Sequence, residues 1–225
     1  MIRCFTTILG LSAFALTTLL TAGRANADVI VTFYSDEASF LAAISPQAVL
    51  NFEGIATDTG FCDCGVSYHT GSVKFTSAAN HMVVVGKDSE TMGAPFDSAL
   101  LIPSADPSSV LATFDPDSNV TAVGGYFDSL KASSTGTLTL IGSTGLLDRR
   151  DVSMGWATRG EQKTFFGYTV AGDAISSLSV NPQSDAPAFD NFTYGAAVPE
   201  PSTLVLFGIG AALLAASARR RRRAA

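Results

Sequence analysis

Between Asp28 and Ala197 the chain is a succession of short segments rich in Val, Thr, Phe and Tyr, separated by clusters of Gly, Pro, Asp, Asn and Ser. Segments this short cannot bury a helical face, but they suit strands joined by turns. The first is Val29–Tyr34. The others are Ala48–Glu53, Ser72–Ser77, His81–Val85, Ser98–Ile102, Val110–Phe114, Val120–Asp128, Gly136–Ile141, Asp151–Met154, Thr164–Val170, Ser176–Asn181 and Ala188–Tyr194. Leu138 alternates with Thr137 and Thr139, and Phe192 and Tyr194 share a strand face with Asp190. One helical stretch interrupts the pattern: Ser35 or Asp36 can cap it, Phe40, Leu41 and Ile44 give it an apolar face, and Pro46 ends it. The expectation is an all-β fold, an antiparallel jelly-roll-like β-sandwich with one short N-terminal helix packed on an edge.

Two terminal segments stand outside this pattern. Arg3, the apolar run Cys4–Leu20 and Ala25-Asn26-Ala27 are the three parts of a secretory signal, so residues 1–27 read as a signal peptide and the mature chain as starting at Asp28. At the other end, Val198-Pro199-Glu200-Pro201 is followed by an uncharged run, 203–218, and by Arg219, Arg220, Arg221, Arg222 and Arg223. As a helix the run spans about 24 Å, a transmembrane helix completed by snorkelling arginines. The arginines act as a stop-transfer signal and hold the tail on the cytoplasmic side, leaving the globular part outside. The chain thus divides into 1–27, a β-sandwich ectodomain over 28–197, and a C-terminal signal over 198–225.

Charge narrows the function. From Asp28 to Val198 there are 7 Lys/Arg against 19 Asp/Glu, a net of −12. A nucleic-acid partner is excluded, because phosphate contact needs a basic face. Catalytic motifs are missing as well. His69 and His81 lie outside any H-E-x-x-H, and Gly142-Ser143-Thr144-Gly145 is a hairpin turn, not a nucleophile elbow. No enzymatic activity is expected.

The terminal residues carry a resemblance. Pro199-Glu200-Pro201, an apolar helix and a final Arg run resemble the PEP-CTERM sorting signal of bacteria that make exopolysaccharide. The resemblance implies processing near Pro199-Glu200-Pro201 by exosortase, a membrane cysteine transpeptidase. It also implies an inner-membrane-anchored precursor that ends at the cell surface or in extracellular matrix. Asn51-Phe52-Glu53-Gly54, Ala122-Val123-Gly124-Gly125-Tyr126-Phe127 and Phe189-Asp190-Asn191-Phe192 are similar to a recurrent ectodomain type of such proteins, to which no activity is assigned. The expected role is structural or adhesive in exopolysaccharide or biofilm matrix, with a calcium-dependent carbohydrate-binding module as the alternative and a polysaccharide hydrolase as a remote one.

Four candidate sites remain. Phe52-Glu53 and Phe189-Asp190-Asn191 resemble the positions at which jelly-roll carbohydrate-binding and MAM-like domains hold a structural calcium ion; Asp28 and Asp58 are further oxygen donors. The alternative is that Glu53 and Asp190 face solvent or cap turns. Asp115-Pro116-Asp117-Ser118-Asn119 begins like a calcium loop but has Val120 and Tyr126 where glycine and glutamate are needed, so it reads as a turn. Cys62 and Cys64 suit a local disulfide in an exported protein; free or intermolecular thiols, or a metal shared with His69, are the other readings. Trp156, beside Arg159, is the candidate for stacking on a sugar ring, against the alternative of a core tryptophan.

Overall fold

The computed structural model describes residues 28–53, 55, 61–79, 81–86, 100–103, 108–129, 134–155 and 163–198. It is an antiparallel, jelly-roll-like β-sandwich. In chain order the elements are β1 (Ile30–Tyr34), α1 (Glu37–Ala42), β2 (Ile44–Leu50), β3 (Phe61–Gly65), β4 (Ser67–Thr70), β5 (Val73–Ser77), β6 (Met82–Val85), β7 (Leu100–Pro103), β8 (Val110–Phe114), a 3-10 turn Pro116–Ser118, β9 (Ala122–Ser129), β10 (Ser134–Gly142), β11 (Gly145–Met154), β12 (Phe165–Ala171), β13 (Ile175–Pro182) and β14 (Pro187–Ala197). The larger sheet runs β1-β12-β9-β14-β7-β6-β3, with β2 also paired to β14; the smaller runs β11-β10-β13-β8-β5-β4.

Strand alternation builds the core. Leu138 and Leu140 of β10 are fully buried between the sheets while Thr137 and Thr139 point away. Phe75 from the smaller sheet packs edge-on against Phe189 and Phe192 of the larger, with ring centroids 6.1 and 5.0 Å apart. Phe127, Phe114 and Tyr194 extend the same cluster.

The helix departs from expectation in place and length. Asp36 caps it, accepting the Ser39 N–H at 2.8 Å. It stops at Ala42, short of Ile44, which opens β2, while Leu41 is exposed. Pro46 sits within β2, where it is tolerated because among the described residues β2 pairs with a single strand, β14. The helix lies on the outer face of the larger sheet, not on an edge. The reason is a paired glycine step: Gly124 of β9 faces Gly167 of β12, and the fully buried Phe40 ring lies on both. A Cβ built on Gly167 would come within 2.6 Å of that ring.

A second correction concerns β14. Asp190 does not share a face with Phe192 and Tyr194. The register against β9 shifts between Asp190 and Thr193, and Asn191 adopts φ 46°, in the left-handed region. This bulge lets Phe189 and Phe192 both enter the core while Asp190 turns to the outer face. It packs on Gly125, where a Cβ would meet Phe192 Cα at 3.1 Å and Asp190 O at 3.2 Å. Both glycines of Ala122-Val123-Gly124-Gly125-Tyr126-Phe127 are thus needed, one under Phe40 and the other against the bulge.

Strands β3 and β4, and the first half of β11, fall where loops were expected. The Asp115–Asn119 segment is a turn, with Ser118 N–H donating to Asp115 O at 3.0 Å and Asn119 at φ 50°. Gly142 pairs with Gly145 across a two-residue hairpin loop.

Candidate functional site

The bulge sets up a polar row on the outer face of the larger sheet. Register places Phe165, Tyr126 and Asp190 side by side on β12, β9 and β14. Asp190 is 2% exposed, and its carboxylate meets the Lys163 ammonium at 2.7 Å. The same carboxylate accepts the Asn191 N–H at 2.7 Å. Lys163 Nζ also lies 6.0 Å from the Tyr126 ring centroid. The Tyr126 hydroxyl donates to Glu37 Oε2 at 2.7 Å, which ties α1 to the row. Burial, reinforced by that carboxylate, pushes the Tyr126 phenol up to about 12.

Asp128, two residues along β9, is also buried and accepts the Thr164 N–H at 2.9 Å. Burial raises its carboxyl above the usual range, against the hydrogen bond from Thr164 and the nearby Lys163 charge. Further toward the same end, Ser129 Oγ donates to the buried Asp185 at 2.7 Å. Three carboxylates are therefore buried along β9 and the start of β14. Asp128, Asp185 and Lys163 carry no local motif. Their partners lie 27 to 56 residues away, so only the fold reveals them.

The sequence candidates fare unevenly. Glu53 is exposed just after β2, whose register with β14 pairs Leu50 with Phe192. That brings Phe52-Glu53 and Asp190-Asn191 to the same stretch of β14. Asp190 is already compensated by an ammonium, and among the described residues no group of three His, Cys, Asp or Glu side chains converges. Asp28 is exposed at the start of the described chain, and Asp58 lies outside the described residues.

Cys62-Asp63-Cys64 lies on β3. Asp63 accepts the Gly65 N–H at 2.7 Å and meets His81 Nε2 at 2.5 Å; those two contacts hold its carboxyl below the usual range. Cys64 packs half-buried against the core, and His69 is exposed on β4. The Cys62 side chain, Trp156, Arg159, Pro199, Glu200, Pro201 and residues 203–223 lie outside the described residues. Among the described aromatic side chains none is exposed; Tyr34, Tyr68 and Tyr126 are half-buried.

The last strand ends against the rest of the sandwich. Ala197 N–H donates to Thr121 Oγ1 at 2.8 Å, and Val198 N–H to Ala43 O at 2.9 Å. Val198 is itself exposed.

Residues 197–223 match the model of the PEP-CTERM protein-sorting motif. No curated protein matches the chain. Among solved structures, the CBM22-1 xylan-binding domain of Paenibacillus barcinonensis Xyn10C is similar at 15% identity and a TM-score of 0.36, over 70% of this chain and 98% of that one. The family 11 carbohydrate-binding module of Clostridium thermocellum Lic26A-Cel5E is similar at 12% identity and a TM-score of 0.33, over 71% and 99%. The CBM22-1-GH10 modules of Clostridium thermocellum Xyn10B, complexed with xylohexaose, are similar at 11% identity and a TM-score of 0.34, over 68% of this chain and 29% of that one.

The fold and the matched segment define a class: a β-sandwich followed directly by a C-terminal sorting motif.

Proposed function

We propose that this is an exported protein, held in the inner membrane by residues 203–218 and delivered to the cell surface or extracellular matrix by exosortase-type cleavage near Pro199-Glu200-Pro201. Its role there is structural or adhesive, within exopolysaccharide matrix. One observation carries the reading: the native hydrogen bonds of β14 close at Ala197 and Val198, where the matched motif begins. Cleavage within the motif leaves the sandwich complete, as a sorted cargo domain requires. The acidic balance of the domain suits an exterior, nucleic-acid-free setting.

The test is calorimetric titration of residues 28–198 with exopolysaccharide from the source organism, with and without calcium. Saturable binding that does not change with calcium fits the adhesive role and the Lys163–Asp190 pair. Binding only with calcium would favour the lectin-like alternative. Heat release that continues with polymer breakdown would favour a hydrolase.

A further inference from the structure

An open groove of about 820 Å³ lies between α1, the outer face of β1, the end of β12 and the end of β14. Ile30, Thr32, Ala42, Ala43, Ala171 and Val198 form much of its wall, and among the described residues no Asp, Glu, Lys, Arg or His lines it. Its exposed rim is uncharged, mixing apolar Ile30 and Val198 with the hydroxyls of Thr32 and Ser39. Ile30 is 61% exposed and Val198 48%, and their neighbours are similar: Val29 beside Ile30, and Leu41 beside Ala42. Inside, polar side chains satisfy one another, as in the Tyr34 hydroxyl and Thr169 Oγ1 at 3.3 Å. Such a surface enters the boundary between headgroups and acyl chains without stripping water from a charge. Its tyrosine and threonines suit the headgroup level.

Chain length supplies the occupant. Four residues, Pro199 to Ser202, separate the groove wall at Val198 from the uncharged run that starts at Thr203. Fully extended they reach at most about 14 Å. Once that run is in a bilayer, the groove wall at Val198 stays within about that distance of the membrane surface. Tethering this short turns even weak apolar contact into stable contact, through a high effective concentration. The opposite part of the sandwich, with β3 and β4, has no such constraint. The domain's net charge of −12 makes zwitterionic lipid the better surface than anionic lipid.

We infer that this groove is a membrane-docking surface: in the anchored precursor the sandwich rests with Ile30, Leu41 and Val198 against the outer leaflet. Docking fixes the domain's orientation and sets how Pro199-Glu200-Pro201 is presented to a membrane-embedded transpeptidase. This rests on the anchoring reading proposed above.

The experiment uses the full chain in phosphatidylcholine nanodiscs. Co-elution with the disc reads anchoring, and amide hydrogen exchange over residues 28–43 reads docking. Three chains are compared: wild type, Ile30→Asp/Leu41→Asp, and a chain with twenty Gly/Ser residues inserted between Ser202 and Thr203. Ile30 and Leu41 are exposed, so the double variant keeps the fold; residues 61–79, on the far part of the sandwich, are the internal control. Docking gives at least tenfold slower exchange over 28–43 in the wild type than in either altered chain, with 61–79 unchanged. Equal exchange in all three, while all co-elute, overturns the docking and leaves the anchoring intact. Protection that appears only with two chains per disc assigns the groove to a second copy and overturns lipid docking. Failure to co-elute overturns the anchoring reading and the docking with it.

Discussion

The seat of Phe40 on the Gly124–Gly167 pair can be tested as a unit. A carbon–carbon contact is optimal at about 3.5–4.0 Å. The Cβ of Gly167→Ala would stand 2.6 Å from Phe40 Cδ2 and 2.9 Å from Cγ. The ring must therefore move by about 1 Å. It has little room, because Tyr34 and Phe165 flank it at 5.8 and 5.5 Å and Gly124 lies beneath it. Overpacking of this kind costs about 1–3 kcal/mol. Restricting the unfolded chain offsets about 0.4–1 of that, so a net loss of about 1–2 kcal/mol is expected. Phe40→Ala removes a fully buried ring, for about 3–5 kcal/mol. In the double variant the new methyl occupies part of the space the ring has left. Its loss should fall about 1–2 kcal/mol short of the two single losses combined, a coupling typical of residues in contact. Urea unfolding of residues 28–198 measures all four chains, with a constant m-value showing that the unfolded state is unchanged. Additivity within about 0.5 kcal/mol, or a neutral Gly167→Ala, would refute the seat and with it the placement of α1 on the sheet face.

Three further outcomes follow from the polar contacts. Asp173 accepts from the Ser143 and Thr144 hydroxyls, and these hydrogen bonds hold its carboxyl down at about 2. A lowered carboxyl stabilises above its unfolded value and loses that contribution as pH falls from about 4 to about 2. Asp173→Ala should flatten this acid limb and lower Tm at pH 7 by about 2–4 °C; an unchanged acid limb would contradict the latch. Asp128 has the opposite sign: its raised carboxyl makes stability fall as pH rises from about 4 through its folded value. Asp128→Asn keeps an acceptor for Thr164 N–H and should hold or raise Tm at pH 7, and a drop of several degrees would show that the charge itself is needed. Finally, since Lys163 already compensates Asp190, millimolar calcium or a chelator should leave Tm unchanged. A calcium-dependent rise of several degrees would mean a site formed by groups other than this pair.

How far the residues themselves foretell this arrangement varies with how local the signal is. Val110–Phe114 is a strand with the expected bounds, because alternation and turn residues define it within the segment. Asp36 is legible as a cap for the same reason. Strands β3 and β4 are not legible. Phe61–Gly65 carries Cys, Asp and Gly, Ser67–Thr70 is short and polar, and both are strands only because β6 and β5 pair with them. The helix position depends on two glycines that lie 84 and 127 residues beyond Phe40, so periodicity around Phe40 cannot report it. Alternation fails at Asp190 because one inserted residue at the bulge reverses the face. The Lys163–Asp190 pair depends on that reversal. The sorting segment is the converse case: its order of Pro-Glu-Pro, apolar run and arginines is local, and the matched residues 197–223 coincide with it.

The central claim is that the sandwich is cargo released from a processed precursor, and the intact mass of the extracellular form tests it most directly. The account predicts a chain that starts at Asp28 and ends within or next to Val198-Pro199-Glu200-Pro201, without the run 203–218 and without Arg219–Arg223. An extracellular form that keeps its arginine tail would contradict it.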